Sequence, residues 1–559
     1  MRPAGGLSAL LGASAAAVAL AVAQESPLPA FRDVSAEAGV RFVHQSDPDK
    51  RFIVESMSGG MAALDFDNDG RMDLYFLNAL TVRTANDPRS AKSALYRNLG
   101  GWKFEDVSDK MGLAFPGWAF GACTGDYDGD GWEDIYVTNL GPNKLFRNVG
   151  GGTFTDVTAT TGVGGGDGWS TGCGFADYDR DGDLDVFVSR YVDFRLDNLP
   201  EFGKGKTCEY RGIAVQCGPR GLPAQGDFLF RNEGNGCFSE VGKQAGVDDP
   251  TGSYGLGVSW LDFNQDGWLD LFVANDAQPN FLYENQKNGT FKEVGFPMGA
   301  AVSDDGAEQA SMGVAVGDYE NDGLLDIYLT HFSGEYNTLY RGASANGFND
   351  VSFKAKVAAV TLPFVSWGTS FFDYDNDGWQ DLIAATGHVY PQMDQAALGA
   401  SMPYRQRRLL FRNTRDGKFE EIGERLGPAF TEPRVTRGLV VVDLDDDGRL
   451  DVAINAQDGA AQVLRNETAG AGHWLLVKLQ GKGMNKDAIG ALVKARAGGL
   501  TMTRLVRSGA SFISQEDLRQ HFGLGAATEA EWVEVQWPDG AKTRREKVGA
   551  DQIVVIGQE

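Results

Sequence analysis

Seven times in this sequence acidic residues, once with an asparagine among them, recur at positions 1, 3, 5 and 9 of a short loop with glycine at position 6. No other feature restricts the fold as much. The sets are Asp65, Asp67, Asp69 and Asp73; Asp126, Asp128, Asp130 and Asp134; Asp177, Asp179, Asp181 and Asp185; Asp262, Asn264, Asp266 and Asp270; Asp318, Glu320, Asp322 and Asp326; Asp373, Asp375, Asp377 and Asp381; and Asp443, Asp445, Asp447 and Asp451. Carboxylates so spaced converge on one point if the chain turns at the glycine, and that many hard oxygen donors suit Ca²⁺ rather than zinc or copper. Two carboxylates about 4 Å apart repel by roughly 4 kcal/mol at an effective dielectric of 20, so a closed loop calls for a cation. An EF-hand would need flanking helices and Glu at position 12. Here position 12 is Phe76, Val137 or similar, within apolar runs such as Leu74-Tyr75-Phe76-Leu77. The expectation is seven strand–loop–strand calcium sites, about seven Ca²⁺ per chain.

The formal net charge of −26 would suggest an acidic partner surface if it were spread evenly. It is not: 27 of the 28 loop positions are acids, and without those 27 the charge would be +1. The acidity therefore reports metal binding, and nucleic acid is not an expected partner. Residues 1–23 carry Arg2, an apolar Leu7–Val22 core and an Ala21-Val22-Ala23 cleavage pattern, which reads as a signal peptide cut before Gln24. No later run of about 20 apolar residues exists, so no membrane span is expected in the mature chain, and secretion to the periplasm or exterior is. Of five cysteines, Cys208 and Cys217 lie close together in a Gly/Pro-rich loop and read as a disulfide; Cys123 and Cys173 read as buried thiols, and Cys237 has no evident partner.

A larger unit surrounds each loop. Glycine stands five residues before every first loop position (Gly60, Gly121, Gly172, Gly257, Gly313, Gly368, Gly438), with a small residue two before that. Small residues at alternate strand positions clear one face for a neighbouring backbone. After each loop come an apolar strand, a Leu-Tyr/Phe-Arg-Asn-like strand and a Phe-x-Asp/Glu-Val-like strand; Glu284 and Gly342 break the Arg-Asn pattern. Four short strands per unit and seven units predict an all-β, seven-bladed β-propeller over 24–468. The seventh unit lacks its fourth strand after Leu464-Arg465-Asn466, and Phe31-Arg32-Asp33-Val34 at the mature N-terminus is that strand type. Pairing the two would close the ring and cover an edge, which an open β-solenoid would not explain.

The glycine-then-loop unit resembles the FG-GAP/VCBS repeats of integrin α-subunit propellers. The words Asn485-Lys486-Asp487-Ala488-Ile489-Gly490-Ala491, Ser508-Gly509-Ala510-Ser511-Phe512, His521-Phe522-Gly523-Leu524-Gly525 and Trp537-Pro538-Asp539-Gly540 resemble an ASPIC/UnbV domain over 473–559. Together they identify the chain as similar to the cartilage acidic protein family, in a secreted and bacterial form. Asn264 and Glu320 depart from Asp at position 3 and imply two weaker sites. Read by itself, the tail is a small β domain with strands at Trp474–Leu479, Leu492–Ala495, Thr503–Val506, Trp532–Trp537, Thr543–Lys547 and Ile553–Ile556.

No catalytic constellation emerges from the five histidines. Propeller topology puts Asn78, Asn139, Arg190, Asn275, His331 and His388 near the rim opposite the acidic loops, beside the long insertion from Arg190 to Gly226. They are candidate ligand-face residues, or simple strand caps. Trp118 and Trp169 read as packing between blades if buried, or as rings that could stack on sugars if exposed, and His521 as structural. The leading expectation is a calcium-stabilised binding or adhesion module for an extracellular protein or glycan. The alternative is an enzyme or an accessory protein of a biosynthetic pathway, with its site on the same upper face.

Overall fold

In the computed structural model, residues 28–395, 401–457 and 459–559 are described; the expected signal peptide lies outside them. Each acidic loop joins two short strands. Residues such as Asp134-Ile135-Tyr136-Val137-Thr138-Asn139 leave the loop as a strand buried on both faces, as a continuous apolar run with β-branched residues requires. Seven four-stranded antiparallel sheets result. Their first strands are Met61–Leu64, Ala119–Gly125, Ser170–Ala176, Gly255–Leu261, Val314–Gly317, Ser366–Phe372 and Thr436–Val442, all fully buried. Fourth strands such as Phe154–Asp156 bury one residue and expose two.

The recurring glycines explain the ring. A Cβ on Gly60 would lie 2.4 Å from the Phe120 carbonyl oxygen, on Gly121 2.4 Å from that of Thr171, on Gly172 2.3 Å from that of Leu256 and on Gly257 2.6 Å from that of Met312. The series runs on through Gly313 and Trp367 (2.1 Å) and Gly368 and Arg437 (2.6 Å), and returns to sheet one through Gly438 and Gly59 (2.5 Å). Each first strand thus touches the next at backbone distance, which no side chain would permit. Hydrophobic cores fill the wedges between sheets: Leu64, Tyr75 and Leu95 of sheet one meet Ile135, Val137 and Phe146 of sheet two.

The seventh sheet closes as expected. Phe31–Asp33 pairs antiparallel with Gln462–Asn466, in the register Phe31↔Asn466, Arg32↔Arg465 and Asp33↔Leu464. The insertion after Arg190 folds over the face opposite the acidic loops, carrying a Glu209–Tyr210/Ile213–Ala214 hairpin and the expected Cys208–Cys217 disulfide. Trp118 and Trp169 are buried there.

Cys123 and Cys173 overturn the buried-thiol expectation: they form a disulfide with Cα atoms 5.8 Å apart. They lie on the first strands of sheets two and three, which the Gly121 contact brings to backbone distance. Two thiols 50 residues apart in sequence are thereby made neighbours. Cys237 is an exposed thiol.

The C-terminal domain has a three-stranded sheet (Gln520–Gly525, His473–Gln480, Gln552–Gly557) and a four-stranded one (Leu500–Leu505, Leu492–Ala497, Glu529–Gln536, Lys542–Gly549). Gln520–Gly525, a strand absent from those expected of the tail, carries two glycines in six residues, which weaken intrinsic strand propensity. Pairing of Phe522 with Leu475 supplies the missing order. The domain sits on the acidic-loop face and shares a core with sheets two and three through Ile489, which packs beside Leu184 and Gly125. From it residues 507–516 enter the channel on the ring axis. Ser511 exchanges main-chain hydrogen bonds with Val314, and Gln515 donates its main-chain amide to Met61 and accepts from that of Ala63. At the tip the Phe512 ring packs 4.8 Å from that of Trp367.

Candidate metal centres

The acidic loops are folded by their own carboxylates. In the second loop Asp126 Oδ1 accepts the Asp130 amide (3.0 Å) and Oδ2 the Gly131 amide (2.7 Å). This wraps the chain around position 1, and Gly131 takes φ +89°, where a side chain would be strained. Asp130 Oδ1 accepts the Trp132 amide (3.1 Å). Asp134 at position 9 accepts the Tyr127 amide (3.1 Å) and, from the third strand, the Asn148 amide (2.7 Å). Asn98, Asn232, Asn285, Asn413 and Asn466 repeat this bond to Asp73, Asp185, Asp270, Asp381 and Asp451.

The asparagine of the Arg-Asn word has a second role that sequence reasoning missed, although its recurrence was the signal. Its Nδ2 donates to the position-2 carbonyl of the preceding sheet's loop: Asn148 to Phe66 (2.8 Å), Asn232 to Tyr127 (2.9 Å), Asn413 to Tyr319 (2.9 Å) and Asn98, across the closure, to Leu444 (2.8 Å). Gly342 stands where sheet five would supply this tie, so the fourth loop, which also carries Asn264, goes without it.

Three of the four expected carboxylates converge in five loops. Positions 1, 3 and 9 offer oxygens within 4.8 Å of one another in Asp65/Asp67/Asp73, Asp126/Asp128/Asp134, Asp177/Asp179/Asp185, Asp373/Asp375/Asp381 and Asp443/Asp445/Asp451. Among the described residues no such acidic triad forms in the loops with Asn264 or Glu320. Position 5 turns toward backbone amides and basic side chains instead, as Asp69 does toward Arg71 and Arg97.

The fit to a cation rests on position 3. Asp67 Oδ1, Asp128 Oδ1, Asp179 Oδ1 and Asp445 Oδ1 are buried and have no hydrogen-bond partner. The other oxygens of Asp67, Asp128 and Asp445 face Arg97 (2.5 Å), Arg147 (2.5 Å) and Arg465 (3.2 Å). A buried, unpartnered carboxylate oxygen beside two further carboxylates is unfavourable unless an ion joins them. Burial, the largest cause, lifts Asp126, Asp177 and Asp443 to about 7 and Asp73 to about 9, and raises Asp134, Asp185 and Asp451 well above the usual carboxylate range. Neighbouring loop acids push the same way. Proton and cation therefore compete for these carboxylates near neutral pH.

The six ligand-face residues sit at the ends of second strands or just beyond them, as strand caps. Asn78 Oδ1 accepts the Gln45 amide (2.8 Å) and its Nδ2 donates to Lys92 (3.2 Å). Asn139 and Asn275 donate from Nδ2 to Val137 (3.1 Å) and Pro279 (2.8 Å). Arg190 lies over the Phe228 ring and donates to the Asp167 carbonyl (3.1 Å). His388 contacts Ser333 Oγ (3.2 Å) and accepts the Tyr390 amide at Nδ1 (3.1 Å), and the His331 main-chain amide donates to Asn337 (2.9 Å). Burial pushes both imidazoles down to about 3, so neither is poised for proton transfer near neutrality. His521 is likewise buried, its Nε2 on the Gly448 carbonyl (3.0 Å).

Residues 481–559 match the ASPIC and UnbV family, and residues 65–137, 126–188, 221–273 and 262–329 match the FG-GAP-like repeat. The chain is similar to cartilage acidic protein 1 of Mus musculus, 29% identical over 541 residues that cover 89% of this chain and 73% of that protein. It is 27% identical to cartilage acidic protein 1 of Homo sapiens over 470 residues, 78% of this chain and 62% of the human one. Among solved structures, an Agrocybe aegerita lectin that recognises non-reducing terminal N-acetylglucosamine aligns with 67% of this chain and 88% of its own, at 18% identity and a TM-score of 0.39.

Proposed function

We propose that this homologue of cartilage acidic protein 1, a chain of FG-GAP-like repeats ending in an ASPIC and UnbV domain, is a calcium-stabilised extracellular binding module. Its partner would be a protein or glycan bound on the face opposite the acidic loops. The observation that carries this reading is the place of the C-terminal domain. The chain's own tail covers the acidic-loop face, so the other face, with its long insertion, is the one left to an outside partner. The acidic triads would hold Ca²⁺ through positions 1, 3 and 9, and the ion would offset carboxylate repulsion while taking no part in chemistry. Two disulfides support an oxidising compartment. Among the described residues no helix is long and apolar enough to cross a membrane.

The insertion exposes Leu196 (44%) and Leu199 (36%), apolar groups of the kind that partners cover. The test is a screen of glycans and secreted proteins with calcium and with chelator, followed by Leu196→Asp with Leu199→Asp. The double variant should lose binding at an unchanged melting temperature. Lys144→Ala, which breaks only a surface pair with Asp156, should bind as wild type does. A folded double variant with full binding would refute the assignment of this face.

A further inference from the structure

The tail does more than shade the acidic loops: it is built on their backbone. Gly472 and Gly525 donate their amides to the carbonyls of Asp375 and Asn376 in the sixth loop, both at 2.8 Å. In the seventh loop Arg519 donates to the Asp443 carbonyl (3.1 Å) and His521 meets that of Gly448 (3.0 Å). The Asp126 amide of the second loop donates to Asp487 of the tail (2.9 Å). Side chains add to these contacts, with Arg519 pairing with Asp446 (3.1 Å) and Asn376 donating to the Gly472 carbonyl (3.2 Å), but the loop atoms met most often are main-chain groups, so docking depends on the shape of the loops.

That shape is held by the carboxylates that would ligate the metal. Asp373 Oδ1 and Oδ2 accept the Asp377 (3.0 Å) and Gly378 (2.8 Å) amides, and Asp443 Oδ2 accepts the Gly448 amide (2.8 Å). A cation that keeps the loop acids converged keeps the docking carbonyls in place. Without it, the converged acids must repel one another or take up protons, and either change loosens the loop under the domain. Docking in turn seats residues 507–516 in the axial channel, about the Ser511–Val314 and Gln515–Met61 hydrogen bonds.

We infer that the C-terminal domain is a calcium-dependent cap: occupied second, sixth and seventh loops hold it docked with its hairpin in the channel, and emptying them releases both. The inference rests on the calcium reading above, and its test separates the two. Hydrogen exchange is followed on the full chain through a chelator titration, with bound metal measured in parallel. As metal leaves, the Ser511 and Gln515 amides should exchange at least tenfold faster, while the hairpin of Glu529–Gln536 and Lys542–Gly549, inside the domain's own sheet, stays protected. Metal loss with Ser511 and Gln515 still protected overturns the cap. So does loss of protection at one chelator concentration throughout the propeller, which makes the ion purely structural. A chain that holds no calcium at all defeats the calcium reading and the cap with it.

Linkage is reciprocal, which gives a second measurement. Phe512→Ala removes a fully buried ring at the tip of the hairpin, changes no charge and touches no loop acid. It should accelerate exchange at Ser511 in saturating calcium and weaken calcium binding at least threefold. Accelerated exchange with an unchanged calcium titration would overturn the coupling.

Discussion

Phe31→Ala tests how the ring closes. Phe31 is 7% exposed and packs at 5.4 Å on Phe430, in a cluster with Leu464, Ile454, Leu439 and Ile422. It belongs to the one strand that sheet seven draws from the other end of the chain. Truncating a buried phenylalanine costs about 3–5 kcal/mol, as lost transfer energy plus the cavity left behind. Unfolding entropy of about 2.1 cal/mol/K per residue gives about 1.2 kcal/mol per kelvin for 559 residues melting as one unit. Calorimetry in calcium should therefore show a Tm lower by about 3–4 °C. Arg32→Ala is the matched control, since its side chain is exposed and its partners Glu37 and Glu467 lie at the surface. It should leave Tm unmoved. The reasoning fails if Phe31→Ala melts within a degree of wild type, or if Arg32→Ala is as damaging.

Calcium-saturated protein should carry close to seven ions, the loops with Asn264 and Glu320 being weakest, and elemental analysis finding fewer than four would contradict this. In chelated protein burial holds Asp126, Asp177 and Asp443 up to about 7 and Asp73 to about 9, against about 3.9 for an unfolded aspartate. The folded state then binds more protons, so its stability falls as pH rises from about 4 to 9, whereas calcium binding strengthens as its ligands deprotonate. The Tm gap between loaded and chelated protein should widen from pH 5 to 8, and a gap that narrows refutes the assignment. Replacing Cys123 and Cys173 by serine opens a link across 50 residues, worth about 4 kcal/mol by loop entropy, and denaturant melts should show a loss of that order. Gly438→Ala sets a Cβ 2.5 Å from the Gly59 carbonyl oxygen and 2.8 Å from Ser514 Oγ, and should cost at least about 2 kcal/mol. Gly557→Ala, with open space around it, should cost nothing measurable in the same melts.

The sequence by itself determined what repeats. Local signals written seven times, a turn glycine inside a carboxylate loop and a strand glycine five residues earlier, specify the loop, the strands beside it and the close contact between neighbours. The unpaired Leu464 strand and the displaced Phe31 strand were equally legible, because an edge without a partner and a strand without a sheet are complementary. Tertiary structure alone decided what the repeats do to one another and to the tail. Position 5 looks like a ligand in a one-dimensional pattern, but in space Arg71, Arg97 and the loop amides claim Asp69. Cys123 and Cys173 become partners only when two blades lie side by side. Beside the side-chain bonds of Arg507 and Ser508 to the Val316 and Thr124 carbonyls, the hairpin meets Val314, Met61 and Ala63 through main-chain hydrogen bonds, and that part of the docking left no pattern to read. Any residue can make such bonds, so side-chain chemistry does not record them, and only the three-dimensional path of the chain shows where they form.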